Sequence, residues 1–189
     1  MAVDLNSGIW DLNTAKSRHR FDEALALKIV TMYKPSLVAD VGCGNGQYCK
    51  FFKDHGWPNV HGYEGTQGIK ELGIYDDIMV VDLTKRRWVE IDYALTISLE
   101  VGEHIPKNFE QVFIDNLCEY VHKDLVLSWA IPGQRGKGHF NEQPNEYVIK
   151  EFEKRGLTYI LNHSLMLRES ASLGWFQNTL MVFSLDKKW

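Results

Sequence analysis

Two glutamates and a histidine stand close together in the stretch SLEVGEHIP, residues 98–106. Glu100, Glu103 and His104 have i, i+3, i+4 spacing, so on one helical turn they share a face. Converging carboxylates and an imidazole can bind a divalent cation, and oxygen-rich ligands without a thiolate favour Mg²⁺ or Mn²⁺. His139, in the later stretch GQRGKGHFN, is the best candidate for a fourth ligand. The alternative is that both glutamates are solvated and that the histidine acts alone or caps a helix.

A second group of candidate residues begins at the segment DVGCGNG, residues 40–46. Its alternating glycines let the backbone turn tightly and let a ligand lie against bare main chain. Glu64 ends a later apolar run and could accept hydrogen bonds from both hydroxyls of a ribose, while Asp82 followed by Leu83 could bind and cover an adenine. Glycines alone would also fit an ordinary strand-to-helix turn. A dinucleotide site is the main rival, but it requires G-x-G-x-x-G rather than the G-x-G-x-G found here.

These residues follow short apolar runs that alternate with segments of helical spacing. The predicted strands span residues 36–41, 59–64, 78–83, 93–99, 124–131, 157–163 and 178–185, the last two being joined by a longer loop. The predicted helices span residues 21–33, 46–56, 66–73, 109–121 and 145–156, the last one closed by Gly156 as a C-cap. This alternation predicts an α/β fold, a doubly wound parallel sheet covered by helices on both faces. Ligands bind such sheets beyond the carboxyl ends of the strands, where the candidate residues stand.

Length and composition narrow the possible functions. The 189 residues suit one domain, and a hydrophobic content of 44% is enough for a substantial core. A net charge of -4 argues against a broad basic face for nucleic acid. The three cysteines lack metal-type spacing, which predicts reduced thiols and a cytoplasmic location, in the host cytoplasm if the protein is viral. No secretion signal and no membrane-spanning run is expected.

Four segments together resemble a known enzyme family. VADVGCGNG, VHGYEG, VVDL and ISLEVGEHIP are similar to the first four motifs of class I S-adenosylmethionine-dependent methyltransferases, over residues 37–106. The resemblance implies a seven-stranded, mostly parallel, Rossmann-like sheet whose last strand pair is antiparallel. It implies S-adenosyl-L-methionine as the cofactor. It also implies one methyltransferase domain over residues 1–189, in which a helical segment, residues 1–35, covers the cofactor site.

The same resemblance implies roles for individual residues. The expected cofactor-binding residues are Asp40, Gly42, Cys43, Gly44, Glu64, Gly65, Asp82, Leu83 and Ser98. Within this set, Asp40 and the glycines after it would hold the methionine end, Glu64 the ribose, and Asp82 with Leu83 the adenine. The later part of the chain resembles the family more loosely.

The E-x-x-E-H stretch with a later histidine resembles the metal site of small-RNA 2′-O-methyltransferases, and a similar stretch occurs in ubiquinone-pathway O-methyltransferases. The expected catalytic and metal-binding group is therefore Glu100, Glu103, His104 and His139. A metal would lower the pKa of an acceptor hydroxyl and fix its position, and a histidine could accept the proton.

The stretch SWAIPGQRGKGHFNEQPNEY, residues 128–147, is the least generic part of the chain. Its expected substrate-binding residues are Trp129, Gln134, Arg135 and Asn141. An indole to stack on and amides that donate and accept hydrogen bonds suit a ligand rich in hydroxyls. The stretch more weakly resembles sugar O-methyltransferase domains associated with glycan synthesis in microbes and chlorella-type large DNA viruses. The expected acceptor is thus a sugar hydroxyl of a glycan or nucleotide-sugar, with glycosyltransferase domains as partners.

Several alternatives remain open at this point. The acceptor could be a small aromatic or quinone-type hydroxyl, or an RNA 2′-hydroxyl, although two basic residues in this loop make long nucleic acid an unfavoured partner. A catalytically inactive nucleotide-binding module is the alternative from another class. Arg18 or His19 could reach the methionine carboxylate or the acceptor, and Trp175 could border the pocket or belong to the core.

Overall fold

The computed structural model describes residues 3–72 and 74–185. Its strands are β1 (Val38–Val41), β2 (Val60–Glu64), β3 (Ile78–Val80), β4 (Leu95–Leu99), β5 (Asp124–Ser128), β6 (Leu157–Tyr159) and β7 (Met181–Leu185). They form one sheet in the order β3-β2-β1-β4-β5-β7-β6, parallel except for β7, which runs antiparallel to both of its neighbours. The predicted α/β class and seven-stranded, mostly parallel sheet are confirmed.

Helices cover both faces of the sheet. They are α1 (Leu12–Arg18), α2 (Glu23–Met32), α3 (Gln47–Asp54), α4 (Glu110–Glu119), α5 (Asn145–Glu153), α6 (Leu161–Ser170) and α7 (Phe176–Thr179), with 3₁₀ turns at Ile69–Leu72, Gly102–His104 and Lys107–Phe109. Successive strand side chains point to opposite faces, so Val38 joins an apolar layer with α2, α3 and α6, while Ala39 joins another with α4 and α5. Within the described residues, no helix combines the length and apolar character needed to span a membrane.

The largest difference from the predicted elements lies near the C-terminus. The predicted strand at 157–163 ends at Tyr159, and the predicted loop after it contains α6 and α7. Leu161, Leu165 and Met166 lie exposed on the outer side of α6, so apolar residues occur on more than one face and hide its helical period. The predicted helix at 66–73 is a 3₁₀ turn as far as Leu72, and its last residue lies outside the described part of the chain.

The N-terminal segment, residues 3–22, is fastened to the body at both ends. At Gly8, which has a φ of +76°, a methyl group would lie 1.9 Å from the carbonyl oxygen of His104. At the other end, the buried Asp22 caps α2 by accepting from the Leu25 amide at 3.0 Å. Its second carboxylate oxygen accepts from the amides of Ser172 and Leu173 at 2.8 and 2.7 Å. Asp22 therefore joins this segment to the connection between α6 and α7.

Candidate active site

A cavity of about 540 Å³ opens at the carboxyl edge of the sheet. Its walls come from the N-terminal segment, the glycine loop after β1 (residues 42–46), the ends of β2 and β4, the loop between β5 and α5 (residues 129–144), and the α6–α7 connection. The volume lies within the range of about 300–1,000 Å³ found for small-molecule sites. The cavity thus meets the sheet at β1 and β4, where the strand order reverses, as expected for ligands of doubly wound sheets.

The glycine loop is held against the end of β2. The amides of Gly42 and Cys43 both donate to the carbonyl oxygen of Tyr63, at 2.7 and 3.0 Å. The amide of Gly44 donates to Glu64 Oε2 at 2.9 Å. All three loop glycines, Gly42, Gly44 and Gly46, have left-handed φ angles, +80°, +58° and +82°, which a side chain would strain. The loop therefore presents main chain rather than side chains to the cavity.

Seven of the nine predicted cofactor-binding residues border this cavity: Asp40, Gly42, Cys43, Gly44, Glu64, Gly65 and Leu83. Asp40 lies at the cavity floor, where its Oδ2 accepts from Cys49 Sγ at 3.3 Å. Burial raises the pKa of Asp40 to about 7. A bound cationic group would favour its ionised form, because an opposite charge nearby offsets the desolvation of the carboxylate.

Of the other two predicted cofactor residues, Ser98 is corrected by the structure, and the role of Asp82 stays a prediction. Ser98 is fully buried and donates its hydroxyl to the carbonyl oxygen of Val41 at 2.8 Å, so it links β4 to β1. Asp82 does not border the cavity, and its Oδ1 accepts from both the amide and the hydroxyl of Thr84, at 3.0 and 2.6 Å. Its partner Lys85 lies 3.3 Å away. Ser98 therefore serves local structure, whereas Asp82 is bound by Thr84 and Lys85 in a partly exposed position.

Glu103, His104 and His139 form a cluster in the wall of the cavity. One potential ligand atom from each lies within 4.8 Å of the others. His104 Nδ1 lies 3.0 Å from the carbonyl oxygen of Gly138, and His139 Nδ1 lies 3.1 Å from Glu142 Oε1. Since both partners are acceptors, each Nδ1 carries the proton and each Nε2 keeps a free lone pair. Metal-binding histidines have the same orientation when an oxygen atom accepts a hydrogen bond from the ring nitrogen that does not bind the metal.

The carboxylate of Glu103 is the most unusual group in the cluster. Its side chain is fully buried, and neither oxygen has a hydrogen-bond donor within the described residues. His139 Nε2 lies 4.0 Å from its Oε1. Burial, reinforced by the charge of Glu100, raises the pKa of Glu103 well above its usual range. A buried carboxylate without a donor is costly unless a cation compensates it, so these three residues fit a divalent metal.

His104 is neutral near pH 7. Burial lowers its pKa to about 4, and the nearby His139 contributes in the same direction. The main chain brings the two histidines together, because the carbonyl oxygen of Glu103 accepts from the amides of Phe140 and Asn141 at 2.8 and 3.0 Å. A neutral imidazole can bind a metal or accept a proton.

Glu100 does not join the three-residue cluster. The helical turn begins only at Gly102, so the predicted shared face of Glu100 with the other two is wrong. Glu100 stands at the end of β4 with a left-handed φ of +54°. It borders the same cavity, but its Oε2 accepts from Gln134 Nε2 at 2.6 Å and its Oε1 lies 3.5 Å from Thr179 Oγ1.

The four predicted substrate-binding residues divide into two pairs. Gln134 and Arg135 border the cavity. Trp129 is fully buried, and its Nε1 donates to the carbonyl oxygen of Asn141 at 2.7 Å. Its ring packs on Gly102 so closely that a methyl group on that glycine would lie 2.3 Å from the ring. The side chain of Asn141 is also buried. The predictions for Trp129 and Asn141 are therefore wrong, and both residues hold the β5–α5 loop against the core.

Aromatic residues outside the predicted site set also form part of the wall. Trp10 stacks on His19 with ring centroids 5.3 Å apart and meets His104 edge-on at 5.0 Å. The ring of His19 lies over the glycine loop, where a methyl group on Gly44 would come within 2.6 Å. Trp175 also borders the cavity. No sequence spacing connects Trp10 or His19 to His104, because the fold of the N-terminal segment brings them there.

Glu142 is a further residue that the sequence reasoning missed. Besides orienting His139, it accepts from the amides of Gly133 and Arg135, both at 2.7 Å. One carboxylate therefore both shapes the β5–α5 loop and fixes the ring of His139. Its position three residues after His139 was the available signal.

Solved structures share this architecture at low sequence identity. The methyltransferase domain of bacterial CtHen1-CN matches with a TM-score of 0.60 and 18% identity, over 92% of this chain and 100% of that chain. A TehB-like SAM-dependent methyltransferase from Corynebacterium glutamicum matches with a TM-score of 0.63 and 14% identity, over 91% of each chain. The chain has the class I methyltransferase fold.

A third structure contains the cofactor product. Magnesium protoporphyrin IX methyltransferase (ChlM) from Synechocystis PCC 6803 with bound SAH matches with a TM-score of 0.60 and 18% identity, over 92% of this chain and 82% of that chain. No family model matches this chain, and neither does any curated protein sequence. The likeness to the solved structures therefore establishes the fold.

Proposed function

We propose that this protein is an S-adenosylmethionine-dependent O-methyltransferase, assisted by a divalent metal, that methylates a sugar hydroxyl of a glycan or nucleotide-sugar. One observation carries the proposal: a single cavity joins the glycine loop and Glu64 to the Glu103–His104–His139 cluster. A donor site and a hydroxyl-activating site are thus adjacent. We also infer that residues 1–189 act as one catalytic domain, with residues 1–35 covering the cofactor.

The donor half of the cavity fits S-adenosylmethionine. The main chain of Gly42 and Gly44, which borders the cavity, suits the methionine end, and Asp40 would become ionised beside its ammonium group. Glu64 borders the cavity and already accepts from the Gly44 amide and from the amide and hydroxyl of Thr66. A ribose hydroxyl would take its remaining acceptor position or replace one of these donors. Leu83 offers an apolar surface for the adenine ring. The likeness to solved methyltransferase structures supports this cofactor.

The acceptor half fits a divalent cation held by Glu103, His104 and His139. Ligands at about 2.1 Å from one ion and at right angles to each other lie about 3 Å apart, so the cluster needs only a modest closure from its separations of up to 4.8 Å. Two imidazoles with one carboxylate favour Mn²⁺ over Mg²⁺. A cation there would lower the pKa of the acceptor hydroxyl and fix its position.

The transfer itself is a displacement at carbon. The hydroxyl oxygen forms a bond to the methyl carbon, the carbon–sulfur bond breaks, and its electron pair stays on sulfur. The hydroxyl proton must leave. Where no cation occupies the cluster, the neutral His104 imidazole would receive it at Nε2. Where Nε2 of His104 binds a cation, a Glu103 carboxylate oxygen that the cation leaves free would receive it. The N-terminal segment over the cavity would limit the access of water to the sulfonium.

A hydroxylated ring suits the remaining walls. Trp10 and Trp175 offer aromatic surfaces, and the amide of Gln134 lies beside Glu100. An RNA 2′-hydroxyl is the alternative acceptor, favoured by the likeness to a solved structure of the small RNA methyltransferase HEN1. We infer glycosyltransferase domains as partners, because those enzymes would supply a sugar acceptor.

The decisive experiment is mass spectrometry of a mixed acceptor panel. Glycans, nucleotide-sugars, small phenols and short RNAs are incubated with the protein, S-adenosylmethionine and Mn²⁺, and a gain of one methyl group is sought. The proposal predicts methylation of a sugar hydroxyl that stops on addition of EDTA and returns with excess metal. Methylation of RNA alone would refute the sugar acceptor, and activity unaffected by EDTA would remove the metal.

A further inference from the structure

A second, more open hollow of about 410 Å³ adjoins the main cavity. It is lined by Arg135, Gly136, His139, Phe140 and Glu142, and the first three of these also border the main cavity. The two spaces therefore share one wall beside His139. An acceptor whose hydroxyl lies at the histidine cluster can extend past Arg135 into this hollow.

The backbone at Arg135 is in an unfavourable conformation for its residue type. Among the described residues, only Glu100 and Arg135 are non-glycine residues with a left-handed φ, and that of Arg135 is +59°. Glycine would adopt this angle without a steric penalty. The same loop has glycine at 133, 136 and 138, so the arginine occupies a position where glycine would be the easier choice. Strain of this kind is found where a side chain is needed for function.

The guanidinium group of Arg135 is not used to hold the fold. Within residues 3–72 and 74–185 it makes no side-chain hydrogen bond or ion pair, whereas Arg155 is bound by Asp115 and Glu151. The nearest acid along the loop, Glu142, is engaged by two main-chain amides and by His139. The positive charge of Arg135 is therefore free to meet a ligand.

Other unpaired positive charges lie, like Arg135, at the mouth of the cavity. Arg18, Arg20 and Lys137 also border the main cavity, and all three are exposed. In the described part of the chain, none of them has a side-chain hydrogen bond or ion pair. On a chain with a net charge of -4, such a group of unpaired cations favours an anionic ligand.

We propose that the acceptor carries a phosphate group, which Arg135 binds at the junction of the two cavities. The planar fork of a guanidinium matches two phosphate oxygens. The exposed ring of Phe140, in the outer hollow, then packs against the part of the ligand beyond the phosphate. The acceptor class is a phosphorylated sugar, either a sugar phosphate or a nucleotide-sugar. This inference rests on the proposed function, whose sugar hydroxyl would lie at the histidine cluster.

Binding to the SAH-loaded protein tests the inference without an activity assay. Calorimetry at low and moderate salt measures the binding of inorganic pyrophosphate, a sugar 1-phosphate, a nucleotide-sugar, an uncharged methyl glycoside and a short RNA. The phosphorylated ligands should bind more tightly than the glycoside. The variant Arg135→Gly should weaken them about 10- to 100-fold, as expected for the loss of charge-assisted hydrogen bonds. Its melting temperature should not fall, because glycine relieves the strained φ.

Lys150→Gln is the matched control, because it removes one exposed positive charge on α5, away from both cavities. SAH affinity should be unchanged in both variants. Phe140→Ala distinguishes the two sources of phosphate: a loss confined to the nucleotide-sugar assigns the hollow to a nucleoside, and an equal loss for both ligands assigns it to the sugar. Wild-type protein that binds SAH but none of the phosphates overturns the inference. So does Arg135→Gly with wild-type phosphate affinity, or a short RNA that binds more tightly than every phosphorylated sugar.

If the wild-type protein binds phosphate but fails to bind SAH, the proposed methyltransferase function fails while the anion site stands. The two claims are thus separable in one titration series.

Discussion

Replacing Glu103 by Gln tests the metal cluster through stability rather than activity. Glu103 is fully buried, and its carboxylate has no hydrogen-bond donor within the described residues. Without metal, the neutral amide of Glu103→Gln removes the desolvation of a buried charge, so this variant should be at least as stable as the wild type at pH 7.5. With metal, the order should reverse, because the wild type alone keeps the full ligand set.

The size of the reversal follows from linkage. A metal present at about 100 times its Kd stabilises the folded state by about 2.7 kcal/mol. For a chain of 189 residues, this corresponds to a rise in melting temperature of roughly 5–10 °C. Differential scanning fluorimetry with Mn²⁺ and with EDTA measures both states. Glu103→Gln should lose most of this rise.

Glu90→Gln is the control, since it removes one exposed carboxylate outside the cavity. It should keep the full metal-dependent rise. If the wild type shows no rise with Mn²⁺, Mg²⁺ or Zn²⁺, or if Glu103→Gln keeps it, the cluster does not bind metal and the reasoning from the unpaired carboxylate is wrong.

Three further predictions concern the segments around the cavity. Gly8→Ala places a methyl group 1.9 Å from the His104 carbonyl oxygen and should weaken SAH binding, measured by calorimetry, about tenfold. The control Gly56→Ala has a similar φ of +88° and open space around it, so it should not weaken SAH binding. Asp22→Ala removes the acceptor for the amides of Leu25, Ser172 and Leu173. It should lower the free energy of unfolding, measured by urea denaturation, by about 2–4 kcal/mol. If the loss is no larger than that caused by Asp54→Ala, which changes an exposed aspartate, Asp22 does not fasten the segment. The pKa of Asp40 is raised from 3.8 to about 7, so this group is more protonated in the folded state than in the unfolded one. The free energy of unfolding of the ligand-free protein should therefore fall from pH 4 to pH 7, and Asp40 accounts for at most roughly 4 kcal/mol of this fall. Asp40→Asn should flatten that part of a urea-unfolding pH profile, and an unchanged slope would contradict the assignment.

The sequence was most informative about features that the path of the main chain determines. The alternation of apolar runs and helices predicted the sheet, and the glycine loop with Glu64 was placed correctly at its edge because carboxyl ends of parallel strands share one edge. Glu103, His104 and His139 also come together, since the loop after β5 donates two amides to the Glu103 carbonyl oxygen.

Side-chain direction was harder to predict. Trp129 and Asn141 stand in a glycine-rich polar loop, yet their side chains turn into the core, because residue type alone does not reveal which way an irregular segment faces. Ser98 fails for a related reason, since its hydroxyl has a nearer acceptor in β1. Glu100 was misassigned because its left-handed φ breaks the helical spacing that the letters suggest.

Contacts between distant segments were not accessible from the sequence at all. Trp10 meets His104, and Asp22 meets Ser172, across 94 and 150 positions of the chain. These contacts depend on how the N-terminal segment crosses the sheet edge, which no local pattern encodes. Trp10 and His104 both border the cavity.

Calorimetric titration of the wild type and of Glu64→Gln with S-adenosylhomocysteine tests the central claim most directly. Glu64 borders the cavity, and a carboxylate there is expected to accept both ribose hydroxyls. We predict one binding site in the wild type and an affinity about 10- to 100-fold weaker in Glu64→Gln, with the control Glu90→Gln unchanged. A wild-type protein that does not bind S-adenosylhomocysteine, or a Glu64→Gln variant that binds it equally well, would contradict the account.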